Sequence, residues 1–315
     1  MNNILIVDFS EYRNSIAKIY KDKGFNPIIC ESAFDAMSKL KAFDIDLVVS
    51  EIELPGDNAF ALYDYLNINY SYIPTIMTTD KNIDLFFDKI FIEGIGNVIC
   101  KPVNKEELIN LSVKLITKEN IFDLKNYLKD IIELKKIRIN SSTQIKNAIF
   151  AMIREIENWG FKIQNVPVLN LVLNEMIINA VYHSHGFTKE KEARKPVTLQ
   201  EGKFVDLFFA KNNSGYGISI NDYNGILSKE IILKSINKVI QQSQLIEDAI
   251  SKGEDVSAII SETGRGIDLV RKLSGDYYFI IKKSIRTEII LIFEHGLDSD
   301  DKELYSSLKI IEDKS

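Results

Sequence analysis

The stretch 171-LVLNEMIINAVYH-183 sets Glu175 and Asn179 four residues apart in a run that is otherwise apolar nearly all round. Residues at i and i+4 share one face of a helix, so the carboxylate and the amide point the same way. Methionine, isoleucine, alanine and valine cover the other directions, the pattern of a helix packed on several sides. An unpaired carboxylate there is costly, so something compensates it. Two solutions fit the residues: acid and amide are satisfied within the protein, as buried polar groups usually are, or both meet a ligand.

Two further segments supply parts of a nucleotide site. Across 218–227, ISINDYNGIL, an alternating strand runs into Asp222 and then the turn Asn224-Gly225, which presents a carboxylate at a strand end beside flexible backbone. Such a carboxylate accepts a hydrogen bond from an exocyclic amine. Across 262–273, ETGRGIDLVRKL, Gly264 and Gly266 flank Arg265, and an amphipathic helix follows with Ile267, Leu269, Val270 and Leu273. Glycines at a helix start let backbone N–H groups approach phosphate oxygens, and the helix dipole favours the negative charge. A lone Gly-x-Gly is more often a turn than a site, but three such segments in this order carry more weight.

In that order the segments resemble the Bergerat-fold ATPases, which include histidine kinases, topoisomerase subunits and serine kinases that act as anti-sigma factors. The family's box Glu-x-x-x-Asn-Ala matches Glu175, Asn179 and Ala180, and the His that often follows matches His183. The resemblance implies that ATP is the cofactor, that Asn179 ligates its Mg²⁺, and that Glu175 is the general base proposed for the serine-kinase branch. It implies that Asp222 reads adenine, and that Gly264, Arg265 and Gly266 form the second glycine box. It groups Gly225 with the nucleotide-binding residues, and Thr287 stands in the following strand where the family commonly has a Thr. Asn224 and Ile226 occupy the two glycine positions of the family's Asp-x-Gly-x-Gly motif, a departure that admits side chains where backbone would otherwise approach.

The surroundings select a branch. Residues 135–140 (KKIRIN) read as a strand, Ser141 or Ser142 as an N-cap, and 143–159 as a helix ending at Gly160. A strand, a helix and then the Glu175 helix is how compact anti-sigma-type kinase domains begin. The histidines are His183, His185 and His295, so no upstream helical hairpin with a phosphorylatable His is present. Long apolar helices are expected over 229–260, to close over a nucleotide or to bind a partner.

The first 120 residues differ. Runs at 4–8, 47–51, 75–79 and 98–100 are short and apolar, separated by helical stretches, as in a parallel sheet of alternating β and α units. Open parallel sheets place function at the carboxyl ends of their strands, where Asp8, Glu51, Thr79 and Lys101 fall. The set resembles the receiver domain of two-component response regulators. In that family an acidic pair binds Mg²⁺, a central Asp accepts phosphate in a phosphorelay, and a Thr and a Lys respond. Here Phe9 stands at the second acidic position, Glu51 at the acceptor and Val98 at the aromatic position. Loss of a hard oxygen ligand weakens a Mg²⁺ site, so the expectation is a pseudo-receiver, with Glu51 either standing in for an aspartyl phosphate or paired with Lys101 as a structural salt bridge.

At 315 residues the chain has length for two domains. The expected fold class is α/β and α+β: a flavodoxin-like receiver over 1–118, a helical connector over 119–132, a Bergerat-fold ATPase α/β sandwich over 133–296 and an acidic, solvated tail over 297–315. Cys30 and Cys100 lie in apolar contexts and read as small hydrophobes rather than a bridge. No run reaches the roughly 18 apolar residues of a membrane span, and no leader is evident, so a cytoplasmic location without membrane contact is expected. A net charge of −6 argues against non-specific nucleic-acid binding. The family resemblances together imply a signalling protein. Its second domain either transfers the γ-phosphoryl of ATP to a Ser or Thr of an anti-anti-sigma-like partner, or sequesters a sigma-like or other regulator without chemistry, or is a scaffold that has lost nucleotide. A homodimer through the last receiver helix, or that helix packed on its own domain, are both open.

Overall fold

The computed structural model describes residues 1–54, 59–252, 265–273, 276–294 and 307–313. The chain divides into two compact units, Met1–Glu119 with Asp300–Ile311, and Asn120–Ser299 with Glu312–Ser315.

The first unit alternates β1 (Asn3–Val7), α1 (Tyr12–Asp22), β2 (Asn26–Cys30), α2 (Ala33–Ala42), β3 (Leu47–Glu51), α3 (Ala59–Asn69), β4 (Thr75–Thr79), α4 (Phe87–Glu93), β5 (Asn97–Cys100) and α5 (Lys105–Thr117). The strands are parallel in the order β2-β1-β3-β4-β5, the doubly wound, flavodoxin-like arrangement expected of the apolar runs. Ile4, Leu5, Ile6 and Val7 of β1 and Leu47, Val48 and Val49 of β3 are buried, because helices cover both faces of such a sheet. Strand β2 was not read from the sequence. It lies at the sheet edge and carries Pro27, a residue that edge strands tolerate and that weakens a strand signature.

The acidic end of the chain departs from expectation. Within 297–315, residues Leu308–Asp313 form a strand, and its first part pairs antiparallel with β5, Leu308 opposite Val98 and Lys309 opposite Asn97. Leu308, Ile310 and Ile311 are buried, and the Lys309 ammonium bonds Glu107 Oε1 of α5 at 2.7 Å. The apolar alternation is only a few residues long, so the charges around it masked a strand that completes an otherwise open edge.

The second unit contains β6 (Glu133–Ile139), α6 (Ile145–Asn158), α7 (Val166–Ile178), α8 (Thr188–Glu192), β7 (Val205–Lys211), β8 (Gly215–Asp222), α9 (Lys229–Ser251), α10 (Arg265–Leu273), β9 (Asp276–Lys282) and β10 (Arg286–Glu294). Its strands run antiparallel in the order β9-β10-β8-β7-β6. Ser141 caps the turn before α6 in a capping box with Gln144, as the Ser-Ser pair suggests. Asn165 caps α7, with Pro167 in its first turn, so this helix begins five residues before the apolar stretch that announced it. It packs against α6 and α10, and α10 against α9. Part of the long apolar stretch at 229–260 is the single helix α9; 253–260 lie outside the described residues, as does Gly264.

The helical connector is not formed. Helix α5 stops at Lys118, whose φ is 54°, and Asn120, Asp123 and Asp130 also take positive φ, which ends helical propagation. Only a 3-10 turn, Leu124–Asn126, lies between α5 and β6. The leucines and isoleucines spaced as on a helix instead serve one at a time: Ile121, Leu124 and Leu128 are each buried in the second unit.

Candidate functional site

In the first unit the four residues expected at the strand ends converge. Asp8, Glu51, Thr79 and Lys101 are all buried. The Lys101 ammonium donates to Asp8 Oδ2 at 2.8 Å, to Ser10 Oγ at 3.0 Å and to Glu51 Oε2. Ser10 in turn donates both its backbone N–H and its hydroxyl to Asp8 Oδ1, each at 2.6 Å. Burial draws the Lys101 ammonium below the ordinary lysine value, and the Asp8 carboxylate works in the opposite direction. Thr79 Oγ1 accepts from the Lys81 N–H at 3.1 Å. Phe9 is 57% exposed and brings no oxygen to the cluster. Both carboxylates are thus engaged by one cation. Among the described residues no group of three or more His, Cys, Asp or Glu is placed to hold a metal. The residues present therefore do not fit a Mg²⁺ site of the kind a phosphoacceptor uses.

In the second unit α7 passes directly into a π turn at Asn179–His183, a distortion common where a helix serves a site. The turn carries Asn179 round toward α8. There Asn179 Oδ1 accepts from the Lys191 ammonium at 2.9 Å, and the same ammonium lies 3.1 Å from His183 Nε2. Glu175 and Asn179 do not bond each other; among the described residues the Glu175 carboxylate has no hydrogen bond, and it acts on Lys191 only as a nearby charge.

Beyond the π turn the chain reaches the end of β8. Asp222 lies opposite Thr287 of β10, so the two side chains share a sheet face. Both residues are 4% exposed, and Asp222 Oδ2 and Thr287 Oγ1 are buried with no hydrogen-bond partner. Burial raises the Asp222 carboxyl above the usual aspartate value, opposed by Ser184, His185 and the backbone N–H groups of Asn224 and Gly225. His185 Nε2 is a third buried atom without a partner, and its Nδ1 meets Asn224 Nδ2 at 3.0 Å. Burial also lowers the His185 pKa, so the ring is neutral. Asp222 Oδ2, Thr287 Oγ1 and His185 Nε2 are thus three buried polar atoms without a partner, a condition native proteins rarely tolerate.

Two neighbours fix this geometry. Gly225 has a φ of 59°, and a β-carbon on it would stand 2.5 Å from Lys282 O and 2.6 Å from Ile285 N, so only glycine lets the turn lie against the β9–β10 hairpin that carries Thr287. Asn224 is locked: its Nδ2 donates to Ser184 O at 2.7 Å, and its Oδ1 accepts from Lys203 at 3.0 Å. Gly266 lies in the first turn of α10, where it packs on α7, and Arg265 opens that helix. Sequence reasoning missed Lys191, His185 and Ser184. Lys191 belongs to the run TKEKEAR, which reads as solvated surface, and only the fold of α8 back onto the π turn reveals it.

Comparison with known proteins concerns mainly the first unit. Residues 4–112 match the response regulator receiver domain family. The probable transcriptional regulator ycf29 of Cyanophora paradoxa is 28% identical over 182 residues, 56% of this chain and 79% of that protein. An NtrX-like response regulator of Rickettsia bellii is 31% identical over 141 residues, 42% of this chain but only 29% of that protein. A receiver-domain structure of an HD domain-containing protein from Pseudomonas fluorescens is 22% identical, covering 37% of this chain and 88% of that one with a TM-score of 0.35. Among the described residues no helix is long and apolar enough to cross a membrane. The five parallel strands, the convergent Asp8, Thr79 and Lys101, and the match over 4–112 agree: the first unit of this chain is a response regulator receiver domain.

Proposed function

We propose that this is a response-regulator-like signalling protein whose receiver is locked by an internal ion pair and whose second unit binds an adenine nucleotide in a Bergerat-type pocket. The observation that carries the reading is the pair of buried, unpartnered atoms Asp222 Oδ2 and Thr287 Oγ1 on one sheet face. A carboxylate that accepts from an exocyclic amine, beside a hydroxyl that donates to a ring nitrogen, matches the amidine edge of adenine and opposes the reversed pattern of guanine. The geometry best supports a nucleotide-dependent binding module that sequesters a sigma-like or other regulatory protein. The side chains of Asn224 and Lys191 fill places where a catalytic pocket would keep backbone and metal.

A second reading, an anti-sigma-type protein serine/threonine kinase, is favoured by the Glu175 carboxylate, which stands beside Asn179 without a hydrogen bond among the described residues. Phosphoryl transfer depends mainly on positioning and electrostatics, so a free carboxylate in that place has a use as base.

Calorimetric titration with ATP, ADP, adenosine and GTP tests the first reading. Adenine compounds are expected to bind and GTP not, and Asp222→Asn is expected to weaken adenosine by ~10- to 100-fold, the worth of one buried hydrogen bond left unmade. Absence of binding by every adenine compound refutes it. Transfer of labelled γ-phosphate to partner proteins by the wild type but not by Glu175→Ala would establish the kinase.

A further inference from the structure

The family resemblance calls for Mg²⁺ at Asn179, and the residues around Asn179 do not fit it. The Asn179 Oδ1 that would serve as ligand already accepts from the Lys191 ammonium at 2.9 Å. A hard divalent cation of this size wants six oxygens, including one or two carboxylates. Here the Asn179 amide and His183 Nε2 hold an ammonium instead, with the Glu175 carboxylate as a nearby charge. We propose that Lys191 is the resident cation of the pocket, and that its ammonium meets the phosphate chain of the nucleotide in place of a divalent metal, giving metal-independent binding. The proposal rests on the adenine-nucleotide reading above and names the charge partner within the same site.

Three observations support it. The ammonium is held in place by the fold: α8, which carries Lys191, is tied back to the π turn by the Phe187 N–H on Tyr182 O at 2.8 Å and by the Tyr182 hydroxyl on Lys195 O at 2.9 Å. It is part of a continuous polar path, because His183, which it touches, is followed by Ser184 and His185, and both of these bond Asn224, whose N–H donates to Asp222 Oδ1 at 3.0 Å. Finally, it is incompletely compensated: no hydrogen bond joins it to Glu175 among the described residues, and its two close partners are an amide oxygen and an imidazole nitrogen rather than a carboxylate. A half-buried ammonium with such partners is stabilised by an arriving anion. It also leaves no room at the amide for a second, doubly charged cation, which it would repel.

The test compares adenosine, ADP and ATP binding to the full chain in EDTA and in excess Mg²⁺, for wild type and Lys191→Met. Wild type is expected to bind ATP at least 10-fold tighter than adenosine, with less than a 3-fold difference between EDTA and Mg²⁺. Lys191→Met is expected to bind adenosine as wild type does and to lose the advantage of ATP. Wild-type ATP binding that rises 10-fold or more on adding Mg²⁺ overturns the proposal while leaving the adenine reading intact, as does a Lys191→Met chain that keeps the ATP advantage. Should Lys191→Met fail to bind adenosine, its fold is compromised and the wild-type comparison of EDTA with Mg²⁺ decides alone. If wild type binds neither adenosine nor ATP, the adenine reading falls and the proposal with it.

Discussion

Gly266 of α10 sits so close to Glu175 of α7 that a β-carbon on the glycine would stand 2.6 Å from Glu175 Cβ and 2.8 Å from Met176 Cε. Gly266 therefore has a packing reason to be glycine, independent of any phosphate. It lets the two helices cross with the Glu175 side-chain stem nearly in contact, and so it bears on where the carboxylate points.

Gly266→Ala is accordingly expected to push α10 off α7 and to destabilise the second unit by about 1–3 kcal/mol, the usual cost of overpacking. Urea unfolding followed by tyrosine and tryptophan signals measures this. An unchanged midpoint would mean that α10 is free to shift and that the contact does not set the position of Glu175.

The receiver makes a prediction of opposite character. Lys101 is shared by Asp8 and Glu51, so Lys101→Met leaves two buried carboxylates facing each other and is expected to cost about 3–5 kcal/mol. Adding Asp8→Asn and Glu51→Gln to the same chain removes the uncompensated charges and restores most of the loss. Treatment of the wild type with acetyl phosphate and Mg²⁺ is expected to leave the intact mass unchanged. Gain of one phosphoryl group on Asp8 or Glu51 would show that the ion pair opens and that the receiver is a working switch.

Much of this was legible in the sequence, and what was not shares a cause. Strands β1, β3, β4 and β5 were visible because each is buried on both faces, and a doubly buried strand is apolar throughout. Asp8, Glu51, Thr79 and Lys101 followed from strand-end positions alone. The Glu175 helix stood out because two polar groups interrupt an apolar surface. The elements that escaped are those whose burial depends on distant partners. The segment Leu308–Asp313 becomes a strand by pairing with β5, some 200 residues earlier in sequence. Lys191 meets Asn179 and His183 only through α8. The residues over 119–132 keep helical spacing yet are drawn singly onto a sheet. Periodicity records which residues are buried, and cannot name what buries them.

Asp222 supplies a pH prediction. Its carboxyl pKa is raised in the folded chain, chiefly by burial. The native state therefore holds its proton to higher pH than the unfolded state does, and stability falls as pH rises from the ordinary aspartate value through the folded one. Above that window the buried charge is a fixed cost. Asp222→Asn is expected to raise Tm at neutral pH, to give no gain below the ordinary aspartate value, and to weaken adenosine binding at the same time. Stability and recognition then move oppositely, as they do where a site is strained for function. A Tm that falls at neutral pH would show that the carboxylate is satisfied inside the protein.

The segment around Leu124 is held on the sheet face opposite to Asp222 and Thr287, and can be released selectively. The Asp123 N–H donates to Glu288 Oε2 at 2.7 Å, Arg286 pairs with the Asp123 carboxylate at 2.7 Å, and Tyr127 packs on Tyr278 with ring centroids 4.5 Å apart. Glu288 follows Thr287 on β10 and is fully buried, with its pKa raised by that burial; its Oε1 accepts from Ser219 and Asn221, while its Oε2 accepts from the Asp123 N–H and Arg286. Leu124 fills the space that Gly217 of β8 leaves: a β-carbon there would stand 2.9 Å from Leu124 Cδ1. Gly217→Val is expected to evict Leu124 and to open the backbone around the exposed Lys125 and Lys129 to trypsin, with cleavage ~10-fold faster, equivalent to about 1.4 kcal/mol of easier local opening. Leu124→Ala removes the same contact without touching the sheet, and should accelerate the same cuts. If both variants are cleaved at the wild-type rate, the segment is held by its polar contacts to Glu288 and Arg286 alone, and Asp123→Ala becomes the substitution that frees it.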